Sequence, residues 1–137
     1  MSADLAIFPP PAAARRSPAT EARHLHPAAL PQWRALLGSR WQERLKRVTE
    51  FSLAYHDAEE AAADAGSGLA ARRDARRQAG AILRRAVAER LALAEIEAAL
   101  SRLAIGRFGW CEQCGAAIAA ATLTEMPQAR YCPGCDR

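Results

Sequence analysis

The sequence predicts a mainly α protein: a long antiparallel coiled-coil helical hairpin on a small four-cysteine base, preceded by a disordered N-terminal arm. Three observations carry that expectation. Two proline-free runs, 32–65 and 69–104, repeat apolar residues at three-four spacing. Only Gly66-Ser67-Gly68 separates them, and two glycines in three residues favour a tight turn over continued helix. All four cysteines of the 137-residue chain lie close to its C-terminal end, in two C-x2-C pairs. The chain divides accordingly into an arm over 1–30, a hairpin over 31–104 and a cysteine module over 105–137.

The arm carries Pro9, Pro10, Pro11, Pro18 and Pro27 among alanines and shows neither helical nor strand periodicity. Proline withholds its amide and breaks helices, so an extended or disordered segment is expected. His24 and His26 lie in it with no further ligand type nearby, and solvated side chains are the simpler reading.

Pro31 suits the first turn of a helix, where its missing N–H has no intrahelical partner to lose. From there Leu37, Trp41, Val48, Phe51, Tyr55, Ala58 and Ala62 form one stripe, broken by Arg44. In the second run Ala75, Ala79, Ile82, Ala86, Leu93, Ile96, Leu100 and Leu103 do the same, broken by Glu89. Two such helices joined by a three-residue turn fold back antiparallel. The seam is alanine-rich near the turn and bulky farther away, so the rod tapers to a narrow tip.

Half of the residues are classed hydrophobic, but only 6% are aromatic, and much of the rest is alanine, which favours helix over a thick core. The net charge of +4 is unevenly placed, with Arg72, Arg73, Arg76, Arg77, Arg84 and Arg85 in one short stretch. Pairing about Ser67 sets residues whose numbers sum to about 134 opposite one another. Asp57 then faces Arg77 and Glu60 faces Arg73, so the acidic cluster Asp57, Glu59, Glu60 and Asp64 is expected to neutralise the arginines across the hairpin. Exposed pairs contribute only about 0–1 kcal/mol each, enough to bias register. The helix dipoles oppose this arrangement, because basic residues open the second helix and acidic ones close the first.

Cys111-Glu112-Gln113-Cys114-Gly115 and Cys132-Pro133-Gly134-Cys135 enclose 17 residues between the pairs. That spacing suits a four-thiolate metal site, because two cysteines separated by two residues turn both sulfurs toward one point. Gly115 and Gly134 stand where tight turns need positive φ. One structural zinc held by Cys111, Cys114, Cys132 and Cys135 is the leading reading, with four ligands leaving no open position for catalysis. Iron in a rubredoxin-like centre and two disulfides are the alternatives. No charged n-region and apolar run suggests secretion, so a reducing cytoplasm is expected. No apolar run approaches the ~18 residues of a membrane span. Gly106 should stop the second helix, Phe108 and Trp110 should cover the base, and 116–124 reads as a short strand or helical turn.

The hairpin, then Gly106-Arg107-Phe108-Gly109-Trp110-Cys111-Glu112-Gln113-Cys114-Gly115, an apolar linker with Pro127, and Tyr131-Cys132-Pro133-Gly134-Cys135 resemble the DksA/TraR family of bacterial regulators. The resemblance spans about residues 31–135 and is most specific over 100–135. It implies a zinc-bearing base and a hairpin that enters the secondary channel of RNA polymerase, bringing its tip near the catalytic centre and shifting the lifetime of promoter complexes. The tip residues to watch are Asp64, Arg72, Arg73, Asp74, Arg76 and Arg77. Two departures follow from the same comparison. Counting back from Cys111, the family's tip aspartates would fall near Gly68 and Ala71, with Arg72 alone resembling the basic residue after them. The family's C-terminal helix, part of its grip on polymerase and of its alarmone pocket, would lie past Arg137. Polymerase binding is therefore expected to persist without the usual transcriptional effect or a response to ppGpp.

The functional expectation is a non-enzymatic zinc-binding transcription regulator that binds RNA polymerase. Its alternative is a basic zinc-ribbon module that binds nucleic acid through the Arg72–Arg85 face. No Ser/His/Asp set, paired-carboxylate cleft or glycine-rich phosphate loop points to an enzyme.

Overall fold

The computed structural model describes residues 25–66 and 68–136. The first part of the expected arm, His24 included, lies outside them. From residue 25 the chain is already ordered against the hairpin: Pro27–Ala29 form a 3-10 turn whose Ala28 amide donates to Nδ1 of His26, 3.2 Å away. Leu25 and Leu30 pack on the core.

Helix α1 runs Leu30–Asp64 and helix α2 Leu69–Ala104. At 1.5 Å per residue each is a rod of roughly 50 Å. Pro31 sits in the first turn of α1, as its chemistry requires. Gly66 takes φ +66° in the connection, and Gly68 caps α2 with backbone alone. Helix α2 ends in a Schellman motif: Gly106 at φ +75° donates to the Leu103 carbonyl, and Arg107 donates to the Arg102 carbonyl at 2.8 Å. Only a residue without Cβ takes that φ at no steric cost.

The two helices pack along their whole length as a hairpin. Near the tip the seam buries only small side chains, Ala79 and Ala86. At the base it opens into a larger core, where Leu37, Ile96, Ala99 and Leu103 meet Phe108, Cys111, Ile118 and Leu123. Trp33 packs on Phe108 with ring centroids 5.6 Å apart. A six-residue helix α3, Ala120–Glu125, closes this core with Leu123 fully buried. Among the described residues there is no strand, only a single antiparallel bridge between Trp110 and Ala117.

The two residues that interrupt the apolar stripes turn out to be one interaction. Arg44 reaches Glu89 across the hairpin at 2.7 Å, and Arg47 approaches the same carboxylate at 3.8 Å. Their numbers sum to 133, so the register expected from the turn holds at mid-rod. Nearer the tip, however, the expected Asp57–Arg77 and Glu60–Arg73 pairs do not form among the described residues. Arg77 pairs with Asp74 on its own helix, and the Arg72 guanidinium donates to the Gly66 carbonyl at 2.7 Å, closing the turn. Alanine seams bring the axes together at this end, and long side chains on the outer faces then point away from each other.

Glu89 is only 15% exposed, so removing one partner should cost more than an exposed pair and less than a fully buried one. Arg44→Leu or Glu89→Leu alone is expected to lower unfolding free energy by about 1–2 kcal/mol. The double replacement should restore wild-type stability or exceed it, as read by chemical denaturation.

Candidate metal centre

The first cysteine pair sits on a small hairpin-like loop. Gly109 and Gly115 adopt φ of +84° and +72° at its two ends. Cys111 donates its amide to Ala116 at 2.8 Å, and Ile118 donates to Gly109 at the same distance. Gly115 returns an amide to the Cys111 carbonyl at 2.9 Å, so both thiols face one side. The second pair lies on a tighter turn, in which the Cys135 and Asp136 amides both donate to the Cys132 carbonyl. Gly134 has no positive φ there, contrary to the reading from sequence, and a Cβ on it would meet Cys132 Sγ at 3.9 Å, an ordinary contact. Glu112 joins the two turns by donating its amide to the Arg130 carbonyl at 2.9 Å.

These turns bring the Sγ atoms of Cys111, Cys114, Cys132 and Cys135 within 4.8 Å of one another. A tetrahedral ion with metal–sulfur bonds of about 2.3 Å requires sulfurs about 3.8 Å apart. Cys114 and Cys132 are 3.7 Å apart, and among the described residues the cluster consists of the four thiols alone. The four residues therefore fit a closed tetrathiolate ion.

Crowding splits the proton affinities of Cys111, Cys114 and Cys135. Burial pushes the Cys111 thiol up, but the amides of Cys114, Cys132 and Gln113 outweigh it and bring the group down to about 6. Cys135 is pushed up to about 12, first by its hydrogen bond with Cys132 and then by that with Cys114. For Cys114 the Ala116 amide favours the thiolate, yet Cys111, burial and Cys132 together raise it above the ordinary range. One thiolate at neutral pH is stabilised by its neighbours' donors; a dication would replace those protons.

A second feature was not legible in the sequence. Arg102, in the last turn of α2, is buried at 8% exposure. Its guanidinium reaches the Glu112 carboxylate at 3.5 Å and the Gln128 carbonyl at 3.2 Å. Arg130 pairs with the same Glu112 at 2.9 Å and with Glu95 on α2 at 3.6 Å. Burial lowers the Arg102 pKa, with Glu112 opposing, whereas hydrogen bonding to Glu112 and then its charge raise that of Arg130. The network ties both cysteine turns to α2. An arginine in a last helical turn reads equally well as a partner of the helix dipole, so the sequence alone did not distinguish it.

The six tip residues singled out by sequence stand at the opposite end. Asp64 closes α1, and Arg72, Arg73, Asp74, Arg76 and Arg77 line the first turns of α2, all exposed. Gly68 and Ala71 are exposed with them.

No family model and no curated protein matches the chain. A solved structure does. Transcription factor DksA2 from Pseudomonas aeruginosa is 30% identical and superposes with a TM-score of 0.68, over 77% of this chain and 78% of that one. With the four-thiol base and the helical hairpin in place, that likeness decides the assignment. The chain belongs to the DksA/TraR family. As a DksA/TraR protein it keeps the family's hairpin and four-cysteine base, and carries glycine and alanine at tip positions 68 and 71.

Replacing Arg102 with methionine keeps its apolar stem but removes both donors. Stability should fall by about 1–3 kcal/mol, the cost of leaving a partly buried carbonyl and carboxylate without their donor. Hydrogen exchange should accelerate at the amides of 107–118 while the tip half of the hairpin keeps its protection; uniform loss along the rod would contradict the local role.

Proposed function

We propose that this is a non-enzymatic, zinc-binding regulator of transcription in the cytoplasm, which binds RNA polymerase and inserts its hairpin tip into the secondary channel. The observation that carries the reading is a rod of two helices, narrow and alanine-seamed at one end and fixed at the other to a four-thiol base, superposable on a transcription factor. A taper suits entry into a channel, and a rigid base suits a grip on its rim. Cys111, Cys114, Cys132 and Cys135 would hold one structural zinc. Bound zinc would supply a tetrahedral cross-link between the two turns and no reactive position. Asp64, Arg72, Arg73, Asp74, Arg76 and Arg77 are the tip groups that would meet the polymerase interior. With Gly68 and Ala71 at the tip, polymerase binding is expected without the family's usual effect on promoter complexes, and a ppGpp response is not part of the proposal.

A second reading has its own support. Arg73, Arg76 and Arg84 are exposed and make no ion pair among the described residues, which leaves a basic face open to phosphates. Nucleic-acid binding through Arg72–Arg85 would then show a steep salt dependence.

Two outcomes are expected. First, zinc binding at pH 7 should release at least two protons per ion, from Cys114 and Cys135, so apparent affinity should rise with pH; calorimetry in buffers of different ionisation enthalpy reads this directly. Cys114→Ser should lower metal content and melting temperature together, and unchanged melting would remove the structural role. Second, the zinc-loaded protein should bind bacterial core RNA polymerase, lose binding when 64–74 is deleted, and be displaced by a known secondary-channel factor. Binding to arbitrary DNA or RNA with a steep salt slope, and none to polymerase, would favour the second reading.

A further inference from the structure

The tip half of the hairpin is charge-segregated. On α1, Glu50, Leu53, Asp57, Glu60 and Asp64 recur at three-four spacing and are all exposed, forming one line on the side turned away from α2. On α2, Arg73, Arg76, Gly80, Leu83, Val87 and Leu91 form a second line outside the seam. Arg72, Arg77, Arg84 and Arg90 flank it, Arg77 paired with Asp74 on its own helix. Glu89 lies in the seam, and Arg76, Gly80 and Leu83 border a groove whose other wall is Tyr55, Glu59, Ala62 and Ala63 of α1. Leu53, Leu83, Val87 and Leu91 are 61%, 42%, 48% and 65% exposed. One edge of the rod is thus acidic with a leucine toward its base end, and the other basic at its tip end with three aliphatic side chains toward the base. Neither line can reach the other within one molecule.

We infer that these two edges are partners between molecules: the acidic line of α1 in one copy docks on the basic-apolar line of α2 in the next, tips pointing the same way. The register that predicts partners across the turn then applies between hairpins. It sets Glu50 by Arg84, Asp57 by Arg77 and Glu60 by Arg73, with Leu53 over Leu83. The ion pairs expected within the hairpin, and not formed there, are formed between hairpins. Aliphatic residues on the base-ward half of the basic edge favour a helix as occupant over a phosphate backbone, whose partners are cations and polar donors. A second copy's α2 is excluded as that helix, because a two-fold contact centred on Val87 would set Arg84 against Arg90. The contact joins two different faces, so it is heterologous and does not stop at a dimer.

Sedimentation velocity on the zinc-loaded full chain tests this. In low salt the average mass should climb steadily with concentration. In 1 M salt, where the screening length falls to about 3 Å, the protein should be monomeric. Asp57→Arg with Glu60→Arg, and Arg73→Glu with Arg77→Glu, reverse one edge each. Each double variant should weaken self-association about tenfold or more, and mixing the two should restore it, since every acidic edge again meets a basic one. All four positions are exposed, so helical content by circular dichroism should be unchanged. A chain monomeric at every concentration in low salt, a mixture that stays monomeric, or assembly seen only with added nucleic acid would each overturn the inference.

Discussion

A pair of helices can bury only one seam, and that constraint shapes the whole molecule. Along most of the rod the seam is too thin to exclude water from anything larger than alanine, and Ala79 and Ala86 are what it buries. Long helices are held together by tertiary packing of an apolar face more than by propensity. The hairpin must therefore be fastened at one end. The base does this by adding a third side to the seam: Phe108, Ile118 and Leu123 cover Leu37, Ile96 and Leu103. That third side is itself too short to fold on its own core, so its cysteines and Arg102 fix it to α2. Stability is concentrated where the cysteines are, and the tip is left free to be slender.

The charged groups of the structure follow from the same thinness. Arg44 and Glu89 stand at the seam positions that interrupt the two apolar stripes. The paired arginine and glutamate keep part of their surface in solvent, which lowers the desolvation cost that a fully buried pair carries. At the base, where water is excluded, Arg102 is tolerated because Glu112 and a backbone carbonyl receive its donors. Buried side-chain polar atoms without a partner are absent among the described residues.

Much of this was readable in the sequence, because it rests on local rules. Three-four periodicity, two glycines at a turn and paired C-x2-C motifs each act over a few residues, and they gave both helices, the connection and the thiol cluster. The Schellman stop at Gly106 belongs to the same class. What was not readable depends on where side chains point after the helices have met. The sum rule places Arg73 opposite Glu60 by number, yet register says nothing of rotation about the helix axis, and both lie on outer faces. The same rule succeeded for Arg44 and Glu89 because both interrupt the apolar stripe, which guarantees that they face each other. The Arg102 network escaped notice because its partners, Glu112 and Gln128, reach it only through the fold of the base. Gly134 misled because glycine beside a cysteine turn is permitted, not required, to take positive φ.

The tip remains the least self-sufficient part of the design. Helix α2 opens with no acidic residue in its first turn and no side-chain cap, and α1 closes with no basic residue in its last. Each choice forgoes about 0.3–1 kcal/mol of favourable interaction with the helix dipole. Reversing the signs on the two helices would recover it and leave the alanine seam untouched, at the loss of the Arg72 bond that closes the turn on the Gly66 carbonyl. Arg73 and Arg76, which weaken the helix and make no ion pair among the described residues, are accounted for by what lies outside. A polymerase interior would meet both edges at once, whereas a neighbouring hairpin would meet one edge at a time, so the two proposed occupants would compete for the same side chains.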